Sequence, residues 1–128
     1  PIAAAWATIT HLGLDGYLRL AGQVRDAARR LRAGVEAIDG LTVTGDPIPA
    51  VMEIAADGAA GGPPVDIGAV GDVMDDRGWF LDRQQGGLHA IVSPSHGAVA
   101  GEFLADLADA VAAGGAGRGV TARYGGVG

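Results

Sequence analysis

The chain has 128 residues, a net charge of −6, 48% hydrophobic content and no cysteine. That length gives one domain with one modest core, and the acidic balance argues against nonspecific nucleic-acid binding. Without cysteine there is no disulfide, thiolate metal site or Cys nucleophile. All nine basic residues are arginines, so no lysine side chain is available for a Schiff base or a P-loop.

In chain order, Ala3 to Leu12 is Ala-rich, with Trp6, Ile9 and Leu12 as a short apolar stripe, and predicts a helix. It is apolar at its start but has no basic leader, so it is not read as a secretion signal. Gly13, Asp15 and Gly16 predict a tight corner. Gly16 to Gly40 then predicts one long amphipathic helix. Leu20, Val24, Ala28, Leu31, Val35 and Ile38 recur in steps of three or four and share one face. Asp15 is its expected N-cap and Gly40 its expected left-handed C-cap.

Leu41–Thr44 and Ala50–Ala55 predict an antiparallel hairpin, and Asp57–Pro64 an exposed loop. Asp66 is expected to cap a helix burying Ile67, Val70, Val73 and Met74 and ending at Gly78. Trp79–Asp82 and Leu88–Val92 predict two further strands about a turn at Arg83–Gly87. Ser93-Pro94-Ser95 is expected to cap a last helix over Gly97–Ala112, with Val99, Phe103, Leu107 and Val111 on its apolar face. Residues 113–128 read as a Gly-rich tail. Antiparallel strands with helices on one face make an α+β two-layer sandwich. No 18-residue apolar run predicts a membrane span, and a cytoplasmic location is expected. Beginning in a helix and ending in a tail, the chain reads as a fragment of a longer protein.

The chemistry-bearing residues form no self-sufficient site. His11, His89 and His96 lack the spacing of a helical zinc site. His89 and His96 flank a strand end and a helix start. Ser93 and Ser95 fit capping better than nucleophilic catalysis. Asp72, Asp75 and Asp76 read as a solvated helix face, with Asp75 and Asp76 at the unfavourable end of the helix dipole. No catalytic, cofactor-binding or metal residue is assigned.

Three blocks nevertheless match a known pattern. They are Ala5-Trp6-Ala7-Thr8-Ile9-Thr10-His11-Leu12-Gly13 with Asp15-Gly16-Tyr17, Arg77-Gly78-Trp79-Phe80-Leu81-Asp82-Arg83-Gln84-Gln85 with Leu88-His89, and Tyr124-Gly125. In order and spacing they resemble the C-terminal small domain of group II pyridoxal-phosphate-dependent decarboxylases, in particular the sphingosine-phosphate lyase branch. The loop at Asp57–Pro64 is longer than the family's turn.

The resemblance implies a fold-type-I enzyme whose large domain holds pyridoxal phosphate and lies outside these residues. It implies a homodimer acting on a small amino compound, as carbon–carbon lyase or decarboxylase, with this part inactive alone. His89 and Tyr124 match family positions on the active-site side, without an assigned role. The competing reading is a stand-alone ferredoxin-like regulatory or ligand-binding module, although two leading helices do not fit its βαββαβ plan.

Overall fold

The computed structural model describes residues 1–46, 50–58, 65–84 and 86–114. The expected features of the 57–64 loop beyond Gly58, and of Tyr124 and the tail beyond Gly114, lie outside the described residues. The elements run α1 (Ile2–Glu36), β1 (Leu41–Val43), β2 (Val51–Ala56), α2 (Ile67–Asp76), β3 (Asp82–Gln84), β4 (Gly87–Ile91) and α3 (His96–Ala112). The strands form one antiparallel sheet in the order β1-β2-β4-β3. All three helices lie on one face, giving the expected α+β two-layer sandwich.

The corner expected near Gly13 is a kink inside α1. Gly13 has φ 61° and ψ −178°, a conformation that suits a residue with no Cβ. Before it, residues 2–11 are all exposed, and after it α1 buries Ala27, Ala28, Leu31 and Val35 against the core. The two predicted caps are corrected. Asp15 lies within α1 rather than ahead of it, and the helix ends at Glu36, four residues before Gly40. Ile38 N–H donates to the Val35 carbonyl and Leu41 N–H to the Ile38 carbonyl. This tight turn closes the chain onto β1, and Gly40 supplies its positive φ of 88°.

β2 follows the two-residue strand period. Met52 and Ile54 are buried under the helices, while Val51 on the opposite face is 46% exposed. α2 also matches its signals. The Asp66 carboxylate accepts from Ala69 N–H at 3.0 Å. At the other end Gly78 N–H donates to Asp75 O and Trp79 N–H to Met74 O, with Gly78 at φ 90°. This pair of bonds is a Schellman closure, which leads the chain directly off the helix into Trp79.

Two expectations about charge and strand fail together. Arg83, expected in a turn, is in β3 and only 3% exposed, and Asp72, expected in solvent, is only 7% exposed. The Arg83 guanidinium reaches Asp72 Oδ1 at 2.5 Å and Asp75 Oδ2 at 2.7 Å. Gly71 makes room for it, since a Cβ there would stand 2.8 Å from Arg83 Nε. Of the three carboxylates read as solvated, Asp72 and Asp75 are thus turned onto the sheet while Asp76 is exposed, and Arg83 compensates the Asp75 carboxylate at the helix's C-terminal end.

α1 and α3 meet closely at Gly34, where an added Cβ would lie 2.2 Å from Leu104 Cδ1. Alanine there gains helix propensity of up to about 1 kcal/mol but overpacks by roughly 1–3 kcal/mol. We expect Gly34→Ala to destabilise, and Leu104→Ala to relieve it, with a favourable coupling of about 1 kcal/mol in a double-mutant cycle. Urea unfolding of the four chains measures this, and strictly additive effects would refute the close-packing argument.

Candidate functional site

The clearest concavity is a cavity of about 390 Å³ between β4, the Trp79–Leu81 segment and α3. Its origin lies in Trp79. The indole Nε1 donates to Asp106 Oδ2 at 2.7 Å, and the ring meets Phe103 edge-on at a centroid distance of 5.3 Å. Arg77 adds an ion pair from its Nη1 to Asp106 Oδ1 at 2.5 Å. These contacts hold Trp79 against α3, in the helical layer. The segment that follows therefore joins the sheet only at Asp82. The predicted strand Trp79–Asp82 is corrected to Asp82–Gln84, and the wedge left between Phe80 and Ile91 forms part of the cavity's lining. Phe80 is 77% and Ile91 73% exposed in that wedge, while the buried Met52 and Phe103 line the cavity as well.

The polar component is a row across three strands. Glu53 is registered against His89, and His89 against Asp82. By strand alternation all three lie on the sheet face opposite Met52, Ile54 and Leu88, the face that carries no helix among the described residues. Glu53 Oε1 stands 3.6 Å from His89 Nε2, too far for a hydrogen bond. Glu53 crosses over Gly87, where a Cβ would lie 2.5 Å from its Oε1. Asp82 Oδ2 accepts from Gln84. Asp82 Oδ1 and His89 Nε2 are buried, and among the described residues neither has a hydrogen-bond partner. Such atoms cost stability unless something else meets them.

His96 also lines the cavity, at the start of α3. Its Nδ1 accepts from Ser93 N–H at 3.1 Å, which places the neutral ring's proton on Nε2. This replaces the expected serine cap, because Ser95 makes no side-chain cap bond, and the two serine hydroxyls pair instead at 2.8 Å. The structure therefore brings His89 and His96 to one cavity and leaves His11 exposed on α1. Among the described residues no three His, Asp or Glu side chains gather as a metal site. Sequence reasoning missed Glu53 and Asp82. The alternation of β2 put Glu53 on the Val51 face, but pairing with His89 depends on a register set by β4.

No protein-family model matches the chain. It is 38% identical over 112 residues to the sphingosine-1-phosphate lyase of Oryza sativa subsp. japonica, covering 86% of this chain and 20% of that protein. Against the sphingosine-1-phosphate lyase of Drosophila melanogaster it is 36% identical over 110 residues, covering 83% of this chain and 19% of that protein. The solved structure of a Burkholderia pseudomallei sphingosine-1-phosphate lyase superposes with a TM-score of 0.77 at 35% identity, covering 87% of this chain and 24% of that one. The chain spans about one fifth of the length of these curated relatives.

The Trp79 anchor has a pH signature. The indole bond, followed by Arg77, holds the Asp106 carboxyl below its ordinary value of 3.8. Its contribution to stability is present above that value and lost as pH falls through the lower folded-state value. Thermal unfolding between about pH 5 and pH 2 should therefore show a steeper acid loss in the parent than in Asp106→Asn. Equal slopes would remove Asp106 from the account.

Proposed function

We propose that this chain, which belongs over most of its length with the sphingosine-phosphate lyase-like proteins, is the small C-terminal domain of a pyridoxal-phosphate-dependent carbon–carbon lyase. The observation that carries the reading is the likeness at 35% identity and TM-score 0.77 to a bacterial sphingosine-1-phosphate lyase, over 87% of this chain. Those relatives are named for sphingosine 1-phosphate, an amino alcohol with no carboxylate to lose, which favours cleavage between two chain carbons over decarboxylation. The substrate is then a phosphorylated amino alcohol with a long chain, as the relatives' name describes.

The residues present do not fit the cofactor by themselves. Pyridoxal phosphate is held in such enzymes through a lysine Schiff base and serves as an electron sink when bound, and this chain has no lysine. The cofactor therefore belongs to a large domain of the same polypeptide, and the enzyme works as a cytoplasmic homodimer. What this chain supplies is shape. It covers the catalytic cleft from one side and excludes water from it. In the described residues its uncovered sheet face, with His89 between Glu53 and Asp82, is the surface with the polar groups for such a role.

Visible absorbance with added pyridoxal phosphate tests the division of labour. The full-length polypeptide should acquire a lysine-bound cofactor band that borohydride fixes covalently, and should cleave sphingosine 1-phosphate. The 128-residue chain should do neither. A borohydride-fixed cofactor on this chain alone, or a full-length polypeptide that binds none, would overturn the reading.

A further inference from the structure

The wedge between Phe80 and Ile91 has the make-up of a half-interface, and its backbone shows what is lacking. Val92 N–H donates to the Ala50 carbonyl at 2.7 Å. In an antiparallel ladder this makes Val92 and Ala50 a hydrogen-bonded pair, so the N–H and C=O of Ile91 point the other way, toward the wedge. Pairing between β3 and β4 stops at Asp82 with His89. Among the described residues the Ile91 peptide groups therefore have no ladder partner on that side. The Phe80 and Ile91 side chains flank this open edge, at 77% and 73% exposure. Next to it are Asp82 Oδ1, a buried acceptor, and His89 Nε2, neither with a hydrogen-bond partner among the described residues. Apolar walls, an open strand edge and unsatisfied buried polar atoms together are the features of a surface that another segment completes.

The geometry points to this wedge as the docking site for a segment of the large domain. That segment places an apolar side chain between Phe80 and Ile91 and a hydrogen-bond donor against Asp82 Oδ1. The inference rests on the reading of the chain as a small domain, and it adds which surface is covered and by what chemistry. The choice of occupant follows from length. The matched region is 20% of the rice protein, so four fifths of such a polypeptide lies outside it and must pack somewhere. A second copy docked through this same face would set its own Asp82 and Glu53 carboxylates against those of the first, like charge against like.

Hydroxyl-radical footprinting of the full-length polypeptide, native and in urea, tests this, with the cofactor band recorded on the same sample. Native protection of Phe80 and Ile91 of about ten-fold or more is expected, at all protein concentrations, because a side chain left as exposed as here would gain less than about two-fold. Oxidation of both residues at near the urea rate, in a protein that shows the cofactor band, would overturn the docking site and leave the lyase reading standing. Protection that disappears on dilution would assign the wedge to a second copy and overturn the proposal. Strong protection without any cofactor band would support the docking site while refuting the lyase reading.

Discussion

A single buried guanidinium sets the geometry of this domain. Arg83 enters the helix–sheet layer from the short strand β3 and meets two carboxylates of α2, Asp72 and Asp75. Taking three charged groups out of water is costly, and the arrangement is tolerable only because they meet in close hydrogen-bonded contact. The contact fixes three things at once. It sets the rotation of α2, since Asp72 and Asp75 must both face the sheet. It demands glycine at position 71, where the guanidinium passes. It also fixes the face of β3, placing Arg83 opposite Leu88 on the helical side and Asp82 opposite His89 on the other.

The wedge follows from this anchor and a second one. Between the end of α2 and the start of β3 the chain has only Arg77 to Leu81 to cross. The Schellman closure at Gly78 aims it toward α3, and the indole of Trp79 is fastened there by Asp106 and Phe103. With one end held among the helices and the other in the sheet, the residues between cannot lie along β4. The gap beside Ile91 is therefore built into the connection. The polar row on the uncovered face depends on the same frame, because Asp82 and His89 meet only if Arg83 holds β3 in register.

Much of the fold was legible in the sequence because it rests on period and punctuation. The three-and-four spacing from Leu20 to Val35 gave the buried face of α1, and Asp66 marked the start of α2. Glycine at position 13 marked the kink. The failures share a cause. Asp72 and Asp75 have the same spacing on a solvated helix as on one facing a buried arginine, so local sequence does not separate the two. Arg83 and Gln84 carry no apolar alternation, and so read as part of a turn although they lie in a strand. His89 was noted beside His96 at a strand end and a helix start, and again by resemblance to known lyases. Its neighbours Glu53 and Asp82 come from strands far away in sequence, and their meeting is a matter of register.

What the described residues place on the uncovered face is a short polar row, Glu53, His89 and Asp82, beside an apolar wedge. The chain is similar to sphingosine-1-phosphate lyases over most of its own length and has no lysine. Everything proposed for the uncovered face presupposes that Arg83 holds β3 where it is. The most direct measurement is urea unfolding of Arg83→Met beside Arg83→Met with Asp72→Asn and Asp75→Asn. Leaving two buried carboxylates without their partner should cost about 3–5 kcal/mol, and neutralising both should restore most of it. A single substitution costing less than about 1 kcal/mol, or a triple variant no more stable than the single, would contradict the account.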